Sequence, residues 1–158
     1  MEIGKITCPC VSNTCCPCFV GMCNESKRDP DLHSVRTFYY SKGVEVYCAP
    51  TVDSRPVWQH TMRHIALEGR CFVLSACQFS QEKDYPNDHA VVDPTNRNPN
   101  NVMIAGGSVI VNPFGEVLAG PLLDKEGILT ADLDLDDIVR GKFDLDVVGH
   151  YARPDGER

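Results

Sequence analysis

Residues 104–121 constrain the fold most, because they place two strand patterns on either side of one tight turn. Asn112-Pro113-Phe114-Gly115 has the chemistry of a type I turn: Asn opens it, Pro fixes φ at the second position, and Gly closes it where a positive φ is expected. The apolar residues on both sides alternate, or run continuously as in a buried strand. The segment therefore predicts a β-hairpin.

Two helix–strand pairs are predicted before the hairpin. Asp31 can cap a first helix that ends at Gly43, and a short β-branched strand over residues 44–49 follows it. The Asp53-Ser54 pair can cap a second helix that ends at Gly69, and residues 71–76 form a continuous apolar strand. The predicted apolar faces are Leu32, Val35, Phe38 and Tyr39 in the first helix, and Trp58, Met62, Ile65 and Ala66 in the second. Two strands joined through one helix predict parallel pairing and a right-handed crossover.

The other segments around the hairpin carry weaker signals. Residues 78–101 contain Pro86, Pro94 and Pro99 among many Asn and Asp residues, which predicts a long loop. Such a loop either lies near a functional site or is a solvated connector, and the pattern leaves both open. Residues 127–133 predict a strand and residues 135–142 a short helix, whereas residues 143–154 show few regular signals.

Composition indicates an ordinary globular chain: 42% of the residues are hydrophobic, 23% are charged and the net charge is -7. The acidic balance disfavours nucleic acid as a partner. No run of about 18 apolar residues could span a bilayer, and no basic region followed by an apolar core indicates a secretory signal. We therefore expect a cytoplasmic protein without nucleic-acid or membrane partners.

Six of the nine cysteines lie before residue 24, which separates a Cys-rich leader, residues 1–30, from the rest. A tetrahedral zinc site needs two well-separated ligand pairs, and only Cys15-Cys16-Pro17-Cys18 has a suitable spacing within a pair. The leader is therefore expected to be disordered, with metal binding as the alternative. Cys48, Cys71 and Cys77 lie in apolar strand patterns and are expected to be core residues.

Five segments resemble, in order and spacing, the nitrilase branch of the carbon-nitrogen hydrolase superfamily. They lie within residues 40–55, 64–76, 84–86, 104–121 and 143–154, and include Tyr47-Cys48-Ala49-Pro50-Thr51, Ala66-Leu67-Glu68-Gly69-Arg70, Asp84-Tyr85-Pro86, Gly106-Gly107-Ser108 and Gly149-His150-Tyr151. The resemblance implies an α/β fold, a partial α-β-β-α sandwich of the nitrilase type. It assigns residues 31–154 to the C-terminal half of the family's domain and residues 155–158 to a tail.

The resemblance also implies a mechanism that this chain matches only in part. Nitrilases use a Cys nucleophile, a Glu general base and a Lys that stabilises the tetrahedral intermediate, with neither metal nor cofactor. The nucleophile stands in a Cys-Trp-Glu-Asn motif, and the family's spacing from Arg36 places it at Lys27. The nearest match, Cys23-Asn24-Glu25-Ser26, lies four residues earlier and lacks the Trp. Cys23 is thus a candidate nucleophile, against the alternative of a divergent leader, and the Glu and the Lys have no candidates.

By the same resemblance, Thr51, Asp53 and Gln78 are expected to line a pocket for a small nitrile, the substrate of the parent family. The two helices are expected to form a two-fold interface as well as to cover the sheet, so the partner is a second copy or a nitrilase subunit. Residues 143–154 are expected to pack away from their own core. Residues 44–49 or 71–76 are expected to form an unpaired sheet edge.

Four other groups of residues are interpreted as structural and not as metal, catalytic or phosphate-binding sites. His60 and His64 have the i, i+4 spacing of a two-His metal site but no Glu between them. Glu68 is expected to order buried backbone or subunit contacts. The acidic run over residues 132–137 lacks the central Gly and terminal Glu of an EF-hand. Gly106-Gly107 leads into a strand and not into a helix, unlike a phosphate loop.

Three functions remain open. The first is an enzyme of nitrogen compound metabolism that hydrolyses a nitrile to a carboxylic acid and ammonia, through a Cys thioimidate and an acyl-enzyme. The second is a catalytically silent fragment that associates with nitrilase subunits. The third is a Cys-rich metal-binding leader on an inert body. We favour the first as the parent activity and the second as the role of this chain alone, which we expect to be inactive.

Overall fold

A mixed sheet and three helices make up the part of the chain that the computed structural model describes, which is residues 21–22, 32–86 and 98–153. In chain order the elements are β1 (Gly21–Met22), α1 (Leu32–Ser41), β2 (Val46–Cys48), α2 (Val57–Gly69), β3 (Phe72–Ser75), β4 (Phe79–Gln81), β5 (Val102–Val111), β6 (Val117–Leu123) and α3 (Asp136–Asp144). A short 3-10 helix, Glu82–Asp84, follows β4.

Parallel strands form one side of the sheet and antiparallel strands the other. β1, β2 and β3 are parallel neighbours, which confirms the parallel pairing predicted for the strands on either side of α2. β5 lies between β3 and β6 and is antiparallel to both, and β4 pairs with the first half of β5. β2 and β3 each have two neighbours, so the prediction of an unpaired edge at residues 44–49 or 71–76 is wrong. In the described ranges β6 is an outer strand, paired with β5.

The hydrophobic core lies between one face of the sheet and the helices α1 and α2. Tyr47, Val73 and Val111 are in register across β2, β3 and β5, and all three are fully buried. Met62, Ile65 and Ala66 of α2 pack on them, as the helical periodicity predicts, and Trp58 lies at the margin of this cluster. Each of these larger side chains contributes about 1.5–3 kcal/mol by leaving water.

The buried face of α1 differs from the predicted one. Phe38 is 55% exposed, and its ring carries the Lys42 ammonium 5.2 Å from its centroid, so its assignment to the core is wrong. Arg36 and Tyr40 are buried in its place, because Glu68 of α2 attracts both of them. The Tyr40 hydroxyl donates to Glu68 Oε2 at 3.1 Å, and Arg36 Nε lies 3.6 Å from the same oxygen. Glu68 therefore joins the two helices, as expected of a residue that orders buried contacts.

Helix α2 begins later than predicted and ends where predicted. Its N-cap is Pro56, without a side-chain cap, so the Asp53-Ser54 pair does not cap the helix. Gly69 is the last helical residue, and Arg70 follows in the left-handed region with φ 46°. A Cβ on Gly69 would lie 2.3 Å from the Tyr40 ring, so only glycine admits that ring at the helix end.

The predicted hairpin is confirmed, and its loop rests on α2. Asn112 Oδ1 accepts hydrogen bonds from the backbone of Phe114 and Glu116, and Gly115 has φ 77°, as a three-residue hairpin loop with a bulge requires. Arg63 Nε of α2 donates to the Gly115 carbonyl at 2.7 Å. The loop is thereby fixed to the helix layer.

Three weaker predictions need correction. Residues 78–101 are not one loop, because Phe79–Gln81 pairs with β5 as β4 and the 3-10 helix follows. Residues 127–133 form no strand, and none of the described strands pairs with them. Val147 and Val148 pack against the core, so residues 143–154 do not all pack away from it. The helix expected at residues 135–142 is confirmed as α3.

Candidate functional site

The carboxyl ends of β1, β2 and β3 meet at one edge of the sheet, since the three strands are parallel. In α/β sheets this is the edge at which ligands bind. β1 ends at Met22, in register with Cys48 at the end of β2. Beyond the strands, Thr51 N donates to the Ala76 carbonyl at 2.9 Å, and Thr51 and Cys77 form a parallel bridge.

Thr51 and Asp53 turn the chain from this edge into α2. Thr51 Oγ1 accepts a hydrogen bond from the Asp53 backbone at 3.0 Å. Asp53 in turn accepts from the Arg55 backbone at 3.0 Å and from Arg55 Nε at 2.8 Å, and its second oxygen pairs with Arg55 Nη2. Bonding to Arg55 holds the pKa of the Asp53 carboxyl below its usual value, so the group is charged at neutral pH. The edge therefore carries one fixed negative charge beside an exposed guanidinium.

The other wall of the edge is the break between β3 and β4. The Cys77 backbone exchanges two hydrogen bonds with the Ser108 hydroxyl of β5, and exposed Gln78 follows directly. Gln59 Nε2 of α2 donates to the Gly107 carbonyl at 2.8 Å, immediately before Ser108. Polar groups from α2, β5 and the ends of β2 and β3 therefore converge at one place.

The structure brings three of the four predicted site residues together. Thr51 hydrogen-bonds with Asp53, and Gln78 adjoins Cys77, the bridge partner of Thr51. The structure describes only Gly21 and Met22 of the Cys-rich leader. The candidate nucleophile, Cys23, therefore lies outside the described residues. Sequence reasoning missed Ser108 and Gln59. A hydroxyl within the otherwise apolar pattern of β5 was the one available signal for Ser108.

The three thiols of the described body are suited to packing and not to nucleophilic attack. Burial raises the pKa of the Cys48 thiol above its usual value, and raises that of Cys71 to about 12. Burial and the negative charge of Asp53 raise the pKa of Cys77. A nucleophilic cysteine needs the opposite shift, because the thiolate is the reactive form.

Grouped metal ligands and membrane-spanning helices are both absent from the residues that the structure describes. Within residues 21–22, 32–86 and 98–153, no three His, Cys, Asp or Glu side chains are grouped closely enough to hold a metal ion. His64 of the predicted His pair has its Nε2 3.9 Å from Glu68 Oε1. None of the described helices has both the length and the apolar character that a bilayer crossing requires.

Comparison with known proteins gives one consistent family. Residues 30–143 match the family model for carbon-nitrogen hydrolase. The chain is 75% identical over 121 residues to an arylacetonitrilase of Trametes versicolor, a match that covers 77% of this chain and 38% of the relative. It is 57% identical over 123 residues to a bifunctional nitrilase/nitrile hydratase of Nicotiana tabacum, covering 77% and 35%. The chain thus spans less than two fifths of these relatives.

A solved structure supports the fold. The carbon-nitrogen hydrolase of Helicobacter pylori superposes with a TM-score of 0.58 at 19% identity, over 78% of this chain and 43% of that one. At this level of identity the likeness concerns the fold alone. The predicted α/β class is thereby confirmed.

Proposed function

The chain belongs to the carbon-nitrogen hydrolase family, and from this premise we propose that it forms the substrate-binding side of a nitrilase site. The site lies at the carboxyl ends of β1, β2 and β3, with Thr51, Asp53 and Gln78 at its wall. Residues 31–154 belong to the family's domain in this proposal. The substrate class is an arylacetonitrile, by analogy with the Trametes relative.

The parallel arrangement of β1 beside β2 carries this proposal. Met22 is in register with Cys48, so β1 delivers the chain to the edge where Thr51 and Gln78 lie, and Cys23 is the next residue in the sequence. Ligands of α/β sheets bind at the carboxyl ends of the strands, and in this proposal Cys23 is the nucleophile at that edge. The raised pKa values of Cys48, Cys71 and Cys77 support Cys23 over the thiols of the described body.

The reaction consumes two waters for each nitrile. The thiolate attacks the nitrile carbon, and the nitrogen takes up a proton to give a thioimidate. A first water adds to the thioimidate carbon, ammonia leaves and an acyl-enzyme thioester remains. A second water releases the carboxylic acid and restores the thiol. If the tetrahedral intermediate expels the thiol in place of ammonia, the product is an amide, which is the hydratase outcome named for the Nicotiana relative.

We expect the 158-residue chain alone to be inactive. A Cys thiol needs a base to form the thiolate, and the intermediate needs a cation or donor to stabilise its charge. In this proposal the catalytic Glu and Lys of the family have no counterparts in this sequence. The cytoplasmic location and the role in nitrogen compound metabolism remain predictions.

Turnover of phenylacetonitrile tests this expectation. Phenylacetic acid, phenylacetamide and ammonia are measured together for the purified chain and for Cys23→Ala, because acid and amide separate the two product outcomes. All three products should stay at background in both proteins. Turnover that disappears in Cys23→Ala would contradict the expected inactivity and would make Cys23 the nucleophile.

A second candidate function, association with nitrilase subunits or with a second copy, is favoured by exposed apolar side chains. Phe38 and Val57 are exposed on the helix layer, and Leu118 and Leu123 on the outer strand β6. Such residues mark interaction surfaces when they occur in groups. In this role the chain acts as a catalytically silent partner.

A further inference from the structure

A double-glycine bulge in β5 lies opposite the break between β3 and β4. The pairing of β5 with β6 shifts register between Gly106 and Ser108, and the two glycines have φ 83° and 119°. A Cβ on Gly106 would lie 2.8 Å from the Leu122 carbonyl oxygen, so glycine is required there. Bulges next to functional sites commonly redirect a side chain, and the side chain that follows this one is Ser108.

The Ser108 hydroxyl forms hydrogen bonds with both backbone groups of a single residue, Cys77. Its Oγ accepts a hydrogen bond from Cys77 N at 3.0 Å and donates to the Cys77 carbonyl at 3.1 Å. The bulge itself is held from the helix layer, because Gln59 Nε2 donates to the Gly107 carbonyl. The hydroxyl thus replaces ladder hydrogen bonds that the break between β3 and β4 has removed.

Cys77 connects the two sides of the candidate site. Its bridge to Thr51 fixes one wall, and its peptide unit sets the direction in which Gln78 leaves the sheet. A displaced Cys77 backbone would therefore move Thr51 and Gln78 relative to each other. Binding sites need their walls held to within about 0.5 Å of the productive geometry, and supporting hydrogen bonds provide that precision.

We propose that Ser108 is a positioning residue for nitrile binding, which acts through the Cys77 backbone on Thr51 and Gln78. This inference rests on the proposed function, because it assumes that the nitrile binds at this edge. Ser108 itself does not need to touch the substrate. The hydroxyl, and not the size of the side chain, is the required group.

Three variants of the full chain separate a positioning role of the Ser108 hydroxyl from a purely structural one. Ser108→Ala removes the hydroxyl, and Ser108→Thr keeps it. Ser80→Ala is the matched control, since Ser80 is a buried serine on neighbouring β4 whose hydroxyl pairs with Tyr85 and not with Cys77. Amide hydrogen exchange is read by mass spectrometry, with and without millimolar phenylacetonitrile.

Two readouts are expected to change together in Ser108→Ala. The Cys77 amide should exchange about 2- to 12-fold faster, the range that corresponds to loss of one hydrogen bond. Phenylacetonitrile should slow exchange over residues 49–53 and 76–79 in the parent chain and in Ser80→Ala, but not in Ser108→Ala. Ser108→Thr should restore both readouts.

Each failure has a distinct meaning. Unchanged exchange at Cys77 in Ser108→Ala would overturn the hydrogen-bonding role of Ser108. Faster exchange at Cys77 with nitrile protection retained would show that the hydroxyl is structural only and would overturn the positioning role. If phenylacetonitrile protects nothing in the parent chain, the proposed nitrile site falls, and this inference falls with it.

Discussion

Arg70 illustrates how a single residue joins distant parts of this chain. Its Nη2 lies 2.7 Å from Asp144 Oδ2 of α3, and its Nη1 donates to the Pro113 carbonyl of the hairpin loop at 3.4 Å. Its methylene stem packs on Gly141, where a Cβ would lie 3.0 Å from Arg70 Cδ. Arg70 is buried, whereas the Asp144 side chain is 76% exposed.

The packing of the Arg70 side chain should therefore contribute more to the free energy of unfolding than its ion pair with Asp144. We predict that Arg70→Ala lowers the free energy of unfolding by about 2–3 kcal/mol, from the lost stem packing and the lost bond to the Pro113 carbonyl. Asp144→Asn should lower it by less than about 1 kcal/mol, because exposed ion pairs are screened. Urea unfolding, followed by the fluorescence of the single tryptophan, Trp58, compares the two variants. Equal losses would show that the ion pair dominates.

At the scale of elements, the sequence predicted those whose signals are local. The hairpin followed from the chemistry of Asn112 to Gly115, and the core face of α2 followed from its helical periodicity. Elements that depend on a distant partner were missed. β4 exists because β5 pairs with it, whereas none of the described strands pairs with residues 127–133, which form no strand.

The same distinction explains the buried face of α1. Phe38 is the more apolar residue, yet Arg36 and Tyr40 are buried. Both interact with the carboxylate of Glu68, which lies some thirty residues later in the sequence. Burial and the nearby Glu68 raise the pKa of Tyr40, so its hydroxyl remains a donor at physiological pH. A pattern within one helix does not contain this information.

The residues of the candidate site also divide into those that the sequence predicted and those that it did not. The resemblance supplied Thr51, Asp53 and Gln78, whose proximity the structure shows, and their pocket role remains a prediction. Ser108 and Gln59 escaped notice because each binds backbone far away in the sequence, Ser108 across 31 residues and Gln59 across 48. Nothing in the residues beside them predicts those partners.

The whole molecule exposes many large apolar side chains. They occur on the helix layer, on β6 and on α3, where Phe143 is 90% exposed. β6 also offers an outer edge for intermolecular pairing within the described part of the chain. Exposed apolar side chains in groups mark interaction surfaces, so we expect the chain to associate.

We predict that the chain sediments as a dimer or a larger species at micromolar concentration. Leu118→Ser on β6 and Phe38→Ser on α1 should each reduce association if their surface takes part, because burial of an apolar side chain drives it. The control is Glu126→Gln, a substitution at an exposed polar residue. A compact monomer that melts cooperatively would contradict the prediction.

Location of a bound nitrile tests the central proposal most directly. An arylacetonitrile that carries a diazirine is photolysed with the full chain, and its adducts are mapped by peptide mass spectrometry. We predict adducts within residues 49–53 and 76–79, at the carboxyl ends of β2 and β3, which excess phenylacetonitrile suppresses and 2-phenylethanol does not. Adducts confined to exposed apolar residues such as Leu123 and Phe143, or unaffected by phenylacetonitrile, would contradict a nitrile site at this edge.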